Sequence, residues 1–331
     1  MTALRQLMQR ARTRLDAQLL LLLLAAALLL AALGGPAATL KREVFRLVFT
    51  FDLTQSMNVG DVGVGGVART RLDFAKAAVG LTLERLPCGS QVGLAIFTEH
   101  RSLLLVAPVE VCDNYAVLMA VIDAIDSRMA WAARSEVAKG LYSSLSLAAA
   151  AGEDTRLVFL TDGHEAPPVH PEFRPRFQGA PGEVDGAIIG VGGAQPVPIP
   201  RLDGEGKVVA YWRADEVLQV DTYSLGRGGN VPAEPMVGVD TSDLKQRIAA
   251  GTEHLSALHE VYLQQLARET GLAYFHPQTL QQLANRLTRP EFAEYRSAKT
   301  DMRWLPGLLA IFSVLLACVD TSVPRSAKKR V

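Results

Sequence analysis

Oxygen-bearing side chains stand at alternate positions after the apolar run that ends at Phe51. Residues 48–57 read Val-Phe-Thr-Phe-Asp-Leu-Thr-Gln-Ser-Met, so Asp52, Thr54 and Ser56 come directly after an apolar run that ends at Phe51. Carboxylate and hydroxyl oxygens are the ligands that Mg²⁺ and Ca²⁺ prefer in proteins. No obvious nucleophile or base stands beside them. The residue types therefore predict a divalent-cation site that binds a partner, rather than a site that transforms a substrate.

Two later segments offer further oxygen ligands. Ser135, in Ala-Arg-Ser-Glu-Val-Ala-Lys-Gly-Leu, precedes a predicted helix, and Asp162, in Phe-Leu-Thr-Asp-Gly, follows a predicted strand. Taken singly, each segment has a simpler interpretation: Ser56 is also a good helix cap, and Thr-Asp-Gly is a common turn. Because ligands of open α/β sheets bind beyond the carboxyl ends of the strands, we expect five side chains to converge there. They are Asp52, Thr54, Ser56, Ser135 and Asp162.

Strand and helix patterns alternate through the middle of the chain. The predicted strands are Val44–Phe51, Arg156–Leu160, Gly186–Val191 and Leu272–Phe275. The predicted helices are Arg71–Arg85, Tyr115–Ile125, Glu136–Ala151, His254–Glu269 and Pro277–Leu287. Alternation of this kind predicts a doubly wound α/β domain, with a mainly parallel sheet and helices on both faces.

Two stretches interrupt the alternation. The proline-rich segment 166–183 is typical of an extended surface loop. Residues 196–211 predict a hairpin that turns at Asp203-Gly204-Glu205-Gly206. Insertions near strand ends often carry specificity, so these segments are either a partner-facing surface or loops without a function.

Both ends of the chain are apolar and are flanked by basic residues. Leu19–Leu33 is uninterrupted Leu and Ala, and reaches about the ~20 residues of a membrane span if it continues to Leu40. Trp304–Val319 is a second apolar run. With basic residues outside both runs, the positive-inside rule predicts two transmembrane helices and a periplasmic middle. A cleaved signal peptide is the alternative for the first run, and a buried core helix for the second. The predicted divisions are 1–40 (tail and anchor), 41–300 (periplasmic domain) and 301–331 (second span and basic tail).

Charge and cysteine content narrow the function further. The 34 basic and 34 acidic residues balance, so no overall basic field indicates nucleic acid as a partner.

Segments 91–98 and 102–109 predict a hairpin folded near His100, in which the numbers of two facing residues sum to about 200. Cys88 and Cys112 then lie side by side. An oxidising compartment favours a disulfide, and two buried thiols are the alternative.

The ordered pattern Asp-x-Thr-x-Ser-Met, a hydroxyl before a Gly-Leu helix, and Leu-Thr-Asp-Gly resembles the metal-ion-dependent adhesion site of von Willebrand factor type A domains, over about residues 43–290. The resemblance implies that Thr54, Ser56 and Ser135 supply hydroxyls to Mg²⁺ (or Ca²⁺ or Mn²⁺). It implies that Asp52 and Asp162 act directly or through water, and that a partner protein's carboxylate takes the remaining position. Thr54 and Ser135 depart from the commonest version of the pattern, but both keep the hydroxyl.

Further segments resemble the von Willebrand A proteins of bacterial methanol-oxidation clusters, the MxaL type. They are residues 86–94, 105–112, 129–131, 135–141 and 161–168. The resemblance implies a membrane-anchored periplasmic accessory protein that assists maturation of a methanol-type quinoprotein dehydrogenase or insertion of its Ca²⁺. The alternative is a general envelope-stress, aerotolerance or adhesion module of the same domain type. Neither interpretation makes the protein an enzyme.

Histidines raise one further alternative. His164 and Glu165, followed by His170, suggest zinc, but the spacing does not place two histidines one helical turn apart and prolines interrupt any helix. His164 and Glu165 directly follow the Asp162 segment. They are therefore either neighbours of the metal or solvated loop residues.

Overall fold

The computed structural model describes residues 2–64, 67–169, 174–219 and 251–318 of the 331-residue chain. The chain divides into two compact units. The terminal segments Met1–Arg42 and Arg296–Val331 form one unit, and Glu43–Tyr295 forms the other. All five predicted metal ligands belong to the middle unit.

The elements of the described residues alternate as the sequence predicts. The helices are α1 (Thr2–Leu33), α2 (Arg71–Arg85), α3 (Val111–Ala124), α4 (Val137–Ala150), α5 (Glu260–Thr270), α6 (Leu280–Leu287) and α7 (Trp304–Cys318). The strands are β1 (Ala37–Asp52), β2 (Val62–Val64), β3 (Val67–Arg69), β4 (Gln91–Thr98), β5 (Arg101–Glu110), β6 (Arg156–Thr161), β7 (Gly186–Gly190), β8 (Val197–Pro198), β9 (Pro200–Leu202), β10 (Val208–Tyr211), β11 (Leu255–Ser256), β12 (Ala273–Phe275) and β13 (Ala293–Asp301).

The central sheet has the strand order β12-β7-β6-β1-β4-β5, and β13 pairs with β1. β1 lies parallel to β4 and β6, and β7 lies parallel to β6 and β12. The edge pair β4–β5 is antiparallel. The predicted mainly parallel sheet is therefore confirmed. Because the chain goes from β1 to β4 on one side and later to β6 on the other, the strand order reverses at β1, the place where such sheets bind ligands.

Side chains alternate between the two faces of the sheet, and each face carries its own core. Along β6, Val158 and Leu160 pack with the cluster that contains α2, α3 and α6. Leu157 and Phe159 pack with the cluster that contains α4 and α5. Successive strand residues point to opposite faces, so a strand covered on both sides is continuously apolar. Helices on both faces are thereby confirmed.

Two predicted helices begin later than expected. The helix predicted from His254 begins at Glu260, because Leu255 and Ser256 instead form β11, which pairs with β8. The helix predicted from Pro277 begins at Leu280, where the Thr279 side chain accepts a hydrogen bond from the Gln282 N–H. At the other end of α5, Gly271 adopts a left-handed φ of 79°, as the sequence predicts for a helix stop.

The β4–β5 hairpin confirms the predicted register. Leu94 lies opposite Val106 and Thr98 lies opposite Arg101, so the paired numbers sum to 200 and 199. Cys88 and Cys112 form a disulfide at the open end, with their Cα atoms 5.3 Å apart. The predicted hairpin at 196–211 is confirmed as well, since β9 and β10 pair in antiparallel fashion around the turn at Asp203.

In the terminal unit, α1 packs against α7, and the Gln18 side-chain amide donates to the Ala317 carbonyl. α1 ends at Leu33 and the chain enters β1 at Ala37, so the predicted continuation of the apolar helix to Leu40 is wrong: Gly34, Gly35 and Pro36 end it. Among the residues that the structure describes, none of the helices has both the length and the apolar character needed to cross a membrane.

Candidate metal centre

The first ligand-bearing loop follows β1, whose last residue is Asp52. Its carboxylate accepts a 2.8 Å hydrogen bond from the Thr54 N–H on one oxygen and a 2.6 Å bond from the Thr161 hydroxyl on the other. The hydroxyl oxygens of Thr54 and Ser56 lie 3.4 Å apart. All three predicted ligands of this loop are buried, with side-chain exposure of at most 3%. Asp52 thus fixes the turn that brings the two hydroxyls together.

The second loop follows β6 and carries Asp162. Gly163 has a φ of 78°, and a Cβ there would lie 2.9 Å from Leu263 Cγ, so both the turn and the packing of α5 require glycine. The Asp162 carboxylate accepts hydrogen bonds from the His164 N–H at 2.9 Å and the Ser256 hydroxyl at 3.2 Å. It also forms a buried ion pair with the Arg71 guanidinium. Arg71 also bonds the Ser56 carbonyl, so its guanidinium joins the first loop to the second.

The third loop carries Ser135, immediately before α4. Ser135 and Ala166 exchange two backbone hydrogen bonds of 2.8 Å, so this loop is paired directly with the loop that follows Asp162. The Ser135 side chain is 1% exposed. Its hydroxyl oxygen is buried and has no hydrogen-bond partner among the described residues. A buried hydroxyl without a partner is unfavourable, so this oxygen is available to a ligand.

Glu165 connects the second and third loops through its side chain. Its carboxylate oxygens accept hydrogen bonds from the backbone N–H groups of Val137 at 2.9 Å and Ala138 at 3.1 Å, which are the first residues of α4. The Tyr262 hydroxyl of α5 also donates to it. These bonds satisfy N–H groups that a helix start leaves without partners. The prediction of solvated loop residues is wrong for Glu165 and for His164, which are 8% and 3% exposed.

The charges of Asp52, Asp162 and Arg71 act on one another. Burial, together with the nearby charge of Asp162, raises the pKa of Asp52 to about 7. Burial also acts to raise the pKa of Asp162, but the Arg71 charge, with the neighbouring His164, outweighs it and the pKa lies below its usual value. Two buried carboxylates near each other favour a cation between them. A single internal guanidinium neutralises only part of this charge.

Arg71 is the functional residue that sequence reasoning missed. It is the first residue of α2 and is 0% exposed. Its guanidinium bonds both carboxylate oxygens of Asp61 at 2.9 and 2.7 Å, and it also bonds Ser256 and the Ser56 carbonyl. Asp61 in turn accepts from the Gly193 N–H at 2.8 Å. A basic residue at a helix start gives no signal of burial in the sequence, because its acidic partners are 10 and 91 residues away.

The residues present fit a hard divalent cation. Hydrogen bonds link Asp52 to Thr54 and Thr54 to Ser56, and Arg71 links the Ser56 carbonyl to Asp162. Backbone pairing fixes the Ser135 loop beside this group. The donors are carboxylate and hydroxyl oxygens, which Mg²⁺, Ca²⁺ and Mn²⁺ prefer. The partnerless hydroxyl of Ser135 and the crowded carboxylates are the two observations that favour such an ion over a purely structural cluster.

His164 packs against His259 rather than against a second histidine of its own loop. The two rings lie 5.5 Å apart between centroids, in an edge-to-face arrangement. Burial lowers the pKa of His164 to about 4 and also lowers that of His259. His170, the other histidine of the zinc alternative, lies outside the described residues.

No protein-family model and no curated protein matches the chain. Among solved structures, an aerotolerance-related membrane protein from Bacteroides fragilis has 16% identity and a TM-score of 0.45, over 73% of this chain and 96% of that one. BatB from Bacteroides thetaiotaomicron has 16% identity and a TM-score of 0.46, over 74% and 97%. The ArnB paralog VWA2 from Sulfolobus acidocaldarius has 10% identity and a TM-score of 0.36, over 76% and 46%. These TM-scores are below 0.5, so the fold description rests on the strand order and helix layers themselves.

Proposed function

We propose that the protein is a metal-dependent protein-binding module of the von Willebrand A type. Asp52, Thr54, Ser56, Ser135 and Asp162 would hold Mg²⁺, or Ca²⁺ or Mn²⁺. The observation that carries the proposal is the convergence of three ligand-bearing loops around a buried serine hydroxyl without a partner. The bound cation would supply the positive charge that attracts a carboxylate from a partner protein.

The chain's own residues would prepare the centre for this task. Asp52 orients the Thr54 backbone, and the Thr161 hydroxyl holds the second Asp52 oxygen. Arg71 keeps Asp162 ionised and fixes its direction. Such supporting contacts determine how well ligands are aligned before the ion arrives. In this proposal the protein acts by binding and not by catalysis.

Two observations support a location at a bacterial membrane, with the middle unit on the periplasmic side. The terminal unit exposes large apolar side chains on both helices, including Leu30 at 69% and Phe312 at 60%. A contiguous apolar surface of this kind is typical of an interaction with lipid or with another protein. The Cys88–Cys112 disulfide is typical of an oxidising compartment. We therefore propose that the helix pair associates with lipid at the inner membrane.

The identity of the partner protein is a separate hypothesis. Maturation of a methanol-type dehydrogenase, including insertion of its Ca²⁺, rests on the sequence segments that resemble the methanol-cluster proteins. A general envelope-stress, aerotolerance or adhesion role is the alternative. Neighbouring genes for a quinoprotein dehydrogenase would favour the first, and a gene for an AAA-type ATPase would favour the second. Co-purification from membranes, with and without chelator, identifies the partner protein directly.

Calorimetric titration of the purified full-length chain with Mg²⁺ and Mn²⁺ tests the metal centre. We expect Asp52→Ala to abolish binding, because it removes a ligand and the group that orients Thr54. Asp123→Ala is the matched control, since Asp123 is an exposed carboxylate on α3. Circular dichroism should show both variants folded. Unchanged metal affinity in Asp52→Ala would refute the proposed function.

A further inference from the structure

A separate cluster of ligand-type side chains lies at the open end of the β4–β5 hairpin. Cys88, Glu110 and Cys112 each offer one ligand atom, and these three atoms lie within 4.8 Å of one another. β4 begins beside this cluster, and Phe97, near the other end of the same strand, pairs with Asp52. Because each strand residue advances the chain by about 3.3 Å, the length of β4 separates this cluster from the candidate metal centre.

The disulfide of this cluster is accessible from solution. Cys88 and Cys112 are both exposed, and Glu110 beside them is half-buried. Exposed disulfides exchange with dithiols more readily than protected structural disulfides do. A dithiol reductant and a metal ion can therefore both reach the two sulfur atoms.

Hydrogen bonds hold the two cysteine segments together independently of the S–S bond. The two carboxylate oxygens of Glu110 accept from the backbone N–H groups of Gly89 and Asp113, both at 2.6 Å. The Val111 N–H donates to the Ser90 carbonyl at 2.9 Å. None of these bonds involves a sulfur atom, so they remain when the disulfide is reduced. The two thiols then stay close together in the folded protein.

Glu110 is oriented as a metal ligand would be. Its two backbone hydrogen bonds occupy one acceptor site on each oxygen, and an ionised carboxylate offers about four such sites. Hydrogen bonds of this kind commonly hold the carboxylates that bind metals. Two thiolates beside this carboxylate would repel it and each other, and a divalent cation removes that repulsion. Two thiolates and one carboxylate, with a fourth position left for water, form a ligand set that Zn²⁺ accepts.

We propose that Cys88 and Cys112 are an exchangeable pair, and that the reduced pair binds one Zn²⁺ together with Glu110. A thiolate of a dithiol reductant bonds to one cysteine sulfur, the S–S bond breaks, and the other cysteine leaves as a thiolate. The second thiol of the reductant then displaces the first cysteine, so that the reductant becomes a disulfide. Two electrons pass to the protein, and the two thiol protons of the reductant go to solution when Zn²⁺ binds both thiolates. This site does not depend on the function proposed for the metal centre.

The test uses the full-length chain in detergent, with Cys318→Ala introduced throughout because Cys318 is a free, exposed cysteine. The folded protein is treated with dithiothreitol, desalted without oxygen, and titrated with Zn²⁺ or with Co²⁺ as a spectroscopic probe. We expect both cysteines of the pair to react with iodoacetamide after reduction and neither before, with an unchanged circular dichroism spectrum. The reduced protein should bind one more equivalent of Zn²⁺ than the oxidised protein, and it alone should show thiolate-to-Co²⁺ charge-transfer absorption.

A pair of variants tests the carboxylate ligand. Glu110→Gln should weaken Zn²⁺ binding to the reduced protein by about 10-fold or more, since groups that merely support a metal ligand already contribute about 10–100-fold. Asp113→Asn, which changes the exposed carboxylate next to Cys112, should bind Zn²⁺ as the parent protein does. Equal affinities of the two variants would overturn the assignment of Glu110.

The comparison of the reduced and oxidised forms needs no change at the site and tests the pair itself. A reduced, folded chain that binds no additional Zn²⁺ and shows no charge-transfer absorption with Co²⁺ would overturn the proposal. A disulfide that dithiothreitol opens only in denaturant would overturn it as well, because the pair would then be a structural bridge alone.

Discussion

The carboxylate of Glu165 accepts a 2.9 Å hydrogen bond from the backbone N–H of Val137, the first residue of α4. Glu165 lies in the loop that carries Asp162, and its side chain therefore holds the start of α4, the helix after Ser135. The two ligand-bearing loops are joined both by this side chain and by the backbone pairing of Ser135 with Ala166. Their relative position is set before any ion arrives.

We expect Glu165→Ala to weaken Mg²⁺ binding by about 10-fold or more, because groups that support metal ligands typically contribute 10–100-fold to affinity. Glu165→Gln should recover part of the loss, since its amide oxygen still accepts an N–H. Titration calorimetry measures both. Glu153→Ala changes an exposed glutamate between α4 and β6 and should leave the affinity unchanged. If Glu165→Ala and this control bind Mg²⁺ with equal affinity, Glu165 does not support the proposed metal centre.

The pH dependence of stability should carry a contribution from Glu165. Burial raises the pKa of its carboxyl to about 7, from an ordinary value of 4.5. Between these values the folded chain binds more protons than the unfolded chain, so the contribution is fully present below pH 4.5 and is lost as the pH rises to about 7. The upper bound is about 3 kcal/mol.

Urea unfolding in the presence of chelator measures this effect. Asp52 and Glu253 also have raised pKa values, so the comparison is between wild type and Glu165→Gln across pH 4.5–7.5. The variant should show the flatter profile. Parallel profiles would mean that Glu165 titrates normally in the folded protein.

Arg71→Met should destabilise the middle unit by about 3–5 kcal/mol, because it leaves the buried carboxylates of Asp61 and Asp162 without their cation. If Mg²⁺ binds at the proposed centre, saturating Mg²⁺ should reduce this loss, since the ion would interact with Asp162. Chemical denaturation with and without Mg²⁺ measures both effects. Arg85→Met, at the exposed end of the same helix, is expected to cost less than about 1 kcal/mol. Equal losses for the two variants would contradict a special role for Arg71.

Replacing Cys88 and Cys112 together by Ala should cost about 2–5 kcal/mol of stability, as loss of a native disulfide typically does. The bridge lies at the open end of the β4–β5 hairpin and shares no residue with the ligand-bearing loops, so Mg²⁺ affinity should stay within about two-fold of wild type. Thermal unfolding and calorimetry separate the two outcomes. A large loss of affinity in the folded double variant would show that the hairpin positions the metal centre.

The sequence predicts those parts of the structure that depend on residues close together along the chain. The apolar strand before Asp52, the hydroxyl spacing after it and the register of the β4–β5 hairpin are local patterns, and the structure agrees with them. The start of α5 was misplaced because β11 forms instead, and β11 depends on pairing with β8, more than 50 residues earlier. Arg71, and the contacts of Glu165 with Val137 and Ala138, were not predicted for the same reason: the partners are distant along the chain.

Arg71 also has a consequence for the order in which the protein is made. Its guanidinium contacts Ser256, a residue 185 positions later. All five predicted ligands have been synthesised by Asp162, yet the hydrogen bonds of Arg71 include a residue synthesised almost a hundred residues afterwards. Closing so long a stretch of chain carries a larger entropic cost than closing a short loop. A growing chain therefore carries all five proposed ligands before the residue that completes the hydrogen bonds of Arg71 has been synthesised.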